Sequence, residues 1–458
     1  MPIGSSRHRS ALSVTGAVAA IVATCALFAT IGADARWLAT LGHVIVSRGR
    51  VPVGIPFASA PSGHWTNALV LAELAFDGLV QAFGDRGLML AQLIAVAVAM
   101  GVLAKDALDG GGAHSATARA LLVAALGALP SLVIVRVQLF SLALFPILCA
   151  LLRAEHRRPS RRIWLVVPLL ALWSNLHGAV LLGLAVVLAY ALFCELRRRP
   201  RVAAGLVLAA PISVLATPAL LGTVSYYHGL LTNVAAQRGA GQWGPLSLSQ
   251  PFDLILIAAA AVLAVSWYRK RPPLWEMIVT IALAGLTVKA DRDGVWLMFF
   301  LAPQAARAWR VATPTPTRKW SGLIAAGTVS AIAVLCFTLV RGPVPGGADP
   351  QLLTRAIALA HGSPVLATDG IDEQVAAAGG RIWAGDPIDA FSRTAQSEYL
   401  DFVAGTPDGR RALVPAVTVV LVTHGGAAQK LMARTPAFVA DGGTSGVNMY
   451  LRRSAEDG

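Results

Sequence analysis

The chain has 458 residues, 56% of them hydrophobic and 14% charged, with a mean hydropathy of +0.64. A soluble domain carries about 25% charged residues, so disordered, collagenous and disulfide-scaffold classes are excluded and a soluble globular enzyme is disfavoured. The net charge of +14 comes from residues 1–341, with 29 Lys and Arg against 12 Asp and Glu, whereas 342–458 hold 9 against 12. A basic excess between apolar runs is the pattern of a polytopic membrane protein and not of a basic soluble face, so no nucleic-acid partner is expected.

A membrane span needs about 17–25 apolar residues. Runs that meet or approach this lie at 11–31, 86–104, 117–135, 137–153, 163–176, 178–195, 203–221, 253–268, 274–290, 293–309 and 320–340. The first, preceded by Arg7 and Arg9, is read as a retained helix and not as a cleaved signal. Residues 32–85 form a long first outer loop, whose amphipathic stretch at 66–83 suits the membrane interface. WSNLHG (173–178) interrupts two short runs, as a broken helix would. Residues 222–252 form a second outer segment with Tyr226, Tyr227, His228 and Trp243, and Asp291, Arg292 and Asp293 make a very short turn. After Pro343, Pro345, Gly346 and Gly347 the composition becomes that of a soluble domain. Strands are expected at 364–368, 380–384, 417–423 and 447–452, and helices at 371–378, 388–404 and 426–434.

The expected fold is an all-α polytopic membrane protein of about 11 transmembrane helices (1–341), with a small C-terminal extracytoplasmic α/β domain (342–458). With the N-terminus inside, the inner segments carry 20 Lys and Arg and the outer ones nine. The positive-inside rule therefore places the N-terminus in the cytoplasm, and an odd number of spans places the C-terminal domain outside. Cys25, Cys149, Cys194 and Cys336 lie in apolar runs without CxxC spacing. They read as buried thiols and not as a redox pair or zinc site.

On this topology the polar residues that break the pattern collect on the outer side: Asp34, Arg136, Trp173, Asn175, His177, His228, Trp243, Asp291, Arg292 and Asp293. Ionisable groups at membrane depth are costly and mark a functional site or pair with one another. A broken helix is tolerated where protein or a wet cavity surrounds it. Asp34, His177 and Asp293 are thus expected to line one outer cavity. Plainer roles stand beside this one. Asp34 can be a solvated loop residue, Arg136 a headgroup anchor and His177 a cap on the break. Asp291 and Asp293 can knot with Arg292 or Lys289, and His228 and Trp243 can be interface aromatics.

Several segments resemble a known family when taken together. They are ADARWLATLGHVIVSRGRVP (33–52), HWTN (64–67), RVQLFSLALF (136–145), LWSNLHGAVLLGL (172–184) and DRDGVWLMFFLAP (291–303), with GGRIWAGDPIDAF (379–391) and EYLDFVAGTPDGRRAL (398–413) in the tail. The chain resembles bacterial members of the C-type membrane glycosyltransferase superfamily, relatives of the protein O-mannosyltransferases and the lipid A aminoarabinose transferases. The resemblance implies a polyprenyl-phosphate-linked sugar donor. It also implies a glycan, lipid or protein acceptor on the outer face of the bacterial plasma (inner) membrane.

By that resemblance Asp34 is the general base of an inverting transfer. Arg136 and Arg292 are then the candidates for the donor phosphate and His177 for the phosphate or the acceptor, while Trp173, Asn175, His228, Trp243, Asp291 and Asp293, placed together by the topology, would line the pocket. Some members use a divalent cation, which the resemblance allows here, although no dense carboxylate cluster demands one. The chain departs from the family pattern after Asp34, where two tryptophans and a His are usual and Arg36, Trp37 and Leu38 stand instead. After Trp65 and Asn67 the usual His, Glu and Trp are Ala68, Leu69 and Val70, and Glu73 is the next acidic residue. Two other readings stay open: a non-catalytic membrane scaffold of envelope assembly that retains the fold, and a transporter-like protein. Transporters usually show paired repeat halves, and none is evident.

Overall fold

The computed structural model describes residues 4–309, 318–344, 346–368, 370–444 and 446–453, without the side chains of 4–12 and 318–326. Arg310 and Pro345, and the side chains of Arg7, Arg9, Arg318 and Lys319, fall outside this description. The chain divides into two compact units. A helical unit takes Met1–Thr30, Asp85–Ala216 and Gln242–Val344, and an α/β unit takes Ile31–Gly84, Thr217–Gly241 and Pro345–Gly458.

In the helical unit a helix lies at each predicted run. They are Gly4–Phe28, Asp85–Asp109, His114–Gly127 with Leu129–Val133, Leu139–Arg157, Val166–Ser174, Val180–Tyr190, Pro200–Val214, Pro251–Tyr268, Leu274–Lys289, Gly294–Ala308 and Arg318–Arg341. Among the described residues, four helical stretches are long and apolar enough to cross a bilayer: Asp85–Asp109, Leu139–Arg157, Val180–Arg198 and Pro251–Tyr268. The protein is a mostly helical, polytopic membrane protein. Pro251–Tyr268 is apolar on every face and leaves Phe252, Leu254, Val262 and Val265 exposed, as a lipid-facing helix does. The predicted run 203–221 is cut short at Val214. Pro218 lacks the N–H that would continue the helix, and Thr217 Oγ1 accepts from the Ala219 N–H at 3.2 Å to turn the chain.

The helical core is aromatic, with Trp173, Trp275, Trp296, Phe145, Phe299 and Phe300 fully buried. One charged knot ties four helix ends together. Asp106 accepts from Arg153 Nη1 at 2.8 Å, Arg307 Nη2 at 2.7 Å and Arg157 Nη1 at 3.2 Å. Arg153 also donates to the Phe300 carbonyl at 2.8 Å and lies 3.4 Å from Glu276. The four ends are those that the predicted topology assigns to the inner side. Three of the arginines counted as inner-loop charge are therefore paired with Asp106 within the protein. Cys25, Cys149 and Cys194 are buried as expected, whereas Cys336 is exposed on its helix.

The α/β unit is built on a four-stranded sheet of β1 (Val365–Ala367), β2 (Val419–Thr423), β3 (Phe438–Gly443) and β4 (Val447–Arg452), in the order β1-β2-β4-β3. β1 runs parallel to β2, with Leu366 opposite Val420, and β4 is antiparallel to both of its neighbours, with Met449 opposite Leu421 and Tyr450 opposite Ala440. β3 and the helix Pro350–Ala360 were not anticipated. The expected strand at 380–384 reduces to single bridges, from Ile382 to Ala58 and to Val365. The expected helix at 388–404 is broken into a 3-10 turn at Ile388–Ala390 and a helix at Arg393–Val403, because Ser392 caps the latter by accepting from the Ala395 N–H.

The segment Ile31–Gly84 adds two helices to this unit, Ala35–Arg48 and Val70–Phe83, the second within the expected amphipathic stretch. They approach closely at Gly42, where a Cβ would lie 2.6 Å from the Glu73 carbonyl carbon and 2.9 Å from Asp77 Cβ. The segment 222–241, expected as part of an outer loop, forms the helices Gly222–Thr232 and Val234–Arg238. It docks on Arg393–Val403, with the Val234 N–H donating to Gln396 Oε1 at 2.9 Å and Arg238 Nη1 to Asp401 Oδ1 at 2.8 Å.

Candidate functional site

Asp34 stands at the N-terminus of the helix Ala35–Arg48 with φ 81° and ψ −24°. A non-glycine residue in the left-handed region pays a steric penalty of about 1–2 kcal/mol, and such residues cluster at functional sites. Its half-buried side chain makes no cap bond to the helix. Instead Oδ1 accepts from Trp37 Nε1 at 3.3 Å. The helix N–H groups are met by Glu373, in the first turn of Ile371–Ala377. Its Oε1 accepts from the Asp34 N–H at 2.7 Å, and its Oε2 from the N–H groups of Arg36 and Trp37 at 3.1 and 3.3 Å. Burial, with Asp372 and Asp34 nearby, pushes the Glu373 carboxyl well above the usual range, while these N–H donors pull it down.

An aromatic wall continues from Trp37. Trp65 meets Trp37 edge-on with centroids 6.5 Å apart, Tyr226 meets Trp65 at 6.3 Å, and Tyr227 meets Tyr226 at 5.2 Å. Trp65 Nε1 donates to Asp389 Oδ2 at 3.1 Å. Exclusion of water pushes the Asp389 carboxyl up to about 6, against the pull of the indole. Glu73 is fully buried and accepts from Asn67 Nδ2 at 2.7 Å. Burial pushes it up to about 8, and the Asn67 amide opposes the shift. The charges of Asp34, Glu73 and Asp389 all reach the Tyr226 hydroxyl, so these groups share one neighbourhood. Carboxylates beside indole and phenol rings can take a proton from a hydroxyl and hold the faces of a polar ring. Among the described residues no three His, Cys, Asp or Glu side chains group tightly enough to hold a metal ion.

A second cluster lies in the helical unit, where the helix breaks between Ser174 and Val180. Ser141 Oγ accepts from Trp173 Nε1 at 2.6 Å and lies 2.7 Å from His177 Nδ1. Asn175 Nδ2 braces the break by donating to the carbonyls of Ala171 at 2.8 Å and Ala216 at 2.7 Å. The Arg292 guanidinium lies over the Trp243 ring, 3.8 Å from its centroid, and its charge reaches His177. Asp291 feels both Arg136 and Arg292, and Asp293 accepts from Trp296. Arg136 Nε is buried without a hydrogen-bond partner among the described residues. Arginines with a histidine beside them can take a phosphate.

The sequence candidates thus fall into two groups. Arg136, Trp173, Asn175, His177, Trp243, Asp291, Arg292 and Asp293 belong to the helical unit, and Asp34 and His228 to the α/β unit. His228 is exposed, whereas its neighbours Tyr226 and Tyr227 are buried in the aromatic wall. Sequence reasoning missed Glu373 and gave no role to Trp37 or Asp389. An Asp-Glu pair opening a helix carries no signal of its own, and only the resemblance of 379–391 pointed near Asp389.

No protein-family profile and no curated protein matches the chain. Solved structures do. ArnT from Cupriavidus metallidurans bound to undecaprenyl phosphate superposes with a TM-score of 0.54 at 13% identity, covering 97% of this chain and 98% of that one. ArnT in the apo state gives 0.52 at 13% identity over 95% and 96%. The mycobacterial arabinofuranosyltransferase AftD gives 0.54 at 16% identity, covering 98% of this chain and 42% of that one. The chain therefore shares the fold of ArnT and AftD.

Proposed function

We propose that the protein is an integral membrane glycosyltransferase that moves a sugar from a polyprenyl-phosphate donor to a cell-envelope acceptor on the outer face of the plasma membrane. The observation that carries this is Asp34: a carboxylate held in a left-handed conformation, not used to cap its own helix, beside an aromatic wall. The fold shared with ArnT, which binds undecaprenyl phosphate, supports the donor class. In the reaction an acceptor oxygen attacks the anomeric carbon, and the bond from that carbon to the phosphate oxygen breaks with its electron pair leaving on phosphate. Asp34 takes the acceptor proton, and the configuration inverts. In the helical unit, Arg136, His177 and Arg292 are the proposed phosphate ligands, flanked by Trp243, Asp291 and Asp293, while Trp173 and Asn175 brace the break. Eleven spans, an inner N-terminus and an outer C-terminal domain complete the proposal.

The test uses the full chain in nanodiscs, supplied with undecaprenyl-phosphate sugars and an envelope extract as acceptor. Release of undecaprenyl phosphate is followed for wild type and Asp34→Asn. A rate loss of roughly 10²–10⁴-fold is expected for the variant. An unchanged rate removes Asp34 as the base. A wild-type protein that neither binds undecaprenyl phosphate nor consumes any donor removes the transferase reading in favour of a non-catalytic scaffold.

A further inference from the structure

An aspartate at a helix N-cap ordinarily turns its own carboxylate back onto the N–H groups two and three residues on. Asp34 does not. The groups it would satisfy, the N–H of Arg36 and of Trp37, are bonded to Glu373, which also takes the N–H of Asp34 itself. Among the described residues the Asp34 carboxylate accepts one hydrogen bond, from the Trp37 indole. Glu373 is only 2% exposed. A carboxyl group buried that deeply is costly unless it is hydrogen-bonded, and three partners come from the first turn at Asp34. The helix that carries it, Ile371–Ala377, packs directly on Ala35–Arg48.

We propose that Glu373 is the positioning residue for Asp34: it caps the helix in place of Asp34, leaving that carboxylate available to a reacting hydroxyl. This rests on the reading of Asp34 as the base. Glu373 touches no substrate. It holds Asp34 in a conformation that the chain would otherwise leave. Without it, Asp34 relaxes to an ordinary N-cap and turns its carboxylate onto its own helix.

The experiment compares full-length wild type, Glu373→Ala, Glu373→Gln and Glu373→Asp in nanodiscs, well below their melting temperatures. Donor turnover is read beside hydrogen–deuterium exchange of the peptide spanning 34–38. Glu373→Ala is expected to lose about 10²-fold in kcat with KM for the lipid-linked sugar changed by less than about threefold. Exchange at 34–38 is expected to rise at least tenfold. Glu373→Gln, which keeps one acceptor oxygen, recovers part of both, and Glu373→Asp, one methylene short, recovers less. A merely structural cap would lower the melting temperature and speed exchange while leaving kcat intact, and that result overturns the proposal. If wild type turns over no donor, the transferase reading fails, and exchange then judges the cap alone. Unchanged protection in Glu373→Ala overturns the positioning role whatever the turnover shows.

Discussion

The crossing at Gly42 makes a prediction whose size follows from distances. In Gly42→Ala the new Cβ would stand 2.6 Å from the Glu73 carbonyl carbon and 2.9 Å from Asp77 Cβ. Carbon atoms pack comfortably at about 3.5–4.0 Å, so the helices Ala35–Arg48 and Val70–Phe83 must separate by roughly 1 Å. Overpacking of this kind costs about 1–3 kcal/mol, offset by up to about 1 kcal/mol from the better helix propensity of alanine. A net loss of about 1–2 kcal/mol corresponds to a fall in melting temperature of roughly 2–8 °C for a unit of this size. A shift of about 1 Å in the helix that begins at Asp34 is also enough to lower turnover about 10²-fold. Gly78→Ala is the control: it lies on the second helix, and its Cβ would meet nothing within 4 Å. That variant should melt no lower than wild type and turn over normally. Thermal unfolding in nanodiscs and donor consumption are measured on all three proteins. If Gly42→Ala melts and reacts as wild type does, the close crossing does not position Asp34 and the reasoning fails.

Three further outcomes are expected. The Asp389 carboxyl, raised to about 6 from a usual 3.8, binds its proton more tightly when folded than when unfolded. Its contribution to stability is complete below about pH 4 and is lost as the pH rises through 6, at most about 3 kcal/mol. Asp389→Asn should therefore show a smaller fall in melting temperature than wild type between pH 4 and pH 7, and an identical pH profile would contradict the assignment. Asp106→Ala should destabilise the helical unit by about 3–5 kcal/mol in denaturant titrations, since it takes the nearer carboxylate from the wholly buried Arg153 and leaves the Phe300 carbonyl and the more distant Glu276. Arg292→Ala should weaken binding of undecaprenyl phosphate roughly tenfold or more, read by tryptophan quenching, and equal affinity would remove Arg292 as a phosphate ligand.

The helix positions of the helical unit were readable from the chain because a spanning helix must be apolar along its length, and the bilayer enforces that residue by residue. Hence helices lie at all the predicted runs, and the misjudged end at Val214 falls where a proline and a threonine turn the chain locally. The polar cluster of Arg136, His177 and Arg292 was readable for the complementary reason: such groups are rare among apolar runs. The surroundings of Asp34 were not. Trp37, Trp65, Tyr226, Asp389 and Glu373 come from three separate stretches of ordinary polar sequence, and nothing in the pattern of any one stretch names its partners. β3 escaped notice because its six residues are mostly exposed and include Ala, Asp and two Gly, a poor strand signal.

The bond between the Asp34 N–H and Glu373 joins residues 339 positions apart in the chain. At roughly 5–20 residues per second, a ribosome needs about 17–70 seconds to travel that distance. During that interval most of the apolar runs are delivered to the bilayer, while the segment at Asp34 waits without the carboxylate that fixes its backbone. Maturation of the site is thus deferred to the end of synthesis. A chain stopped after its last apolar run would insert fully yet keep an unfinished first loop, exposed to proteases at the very residues that the finished protein encloses.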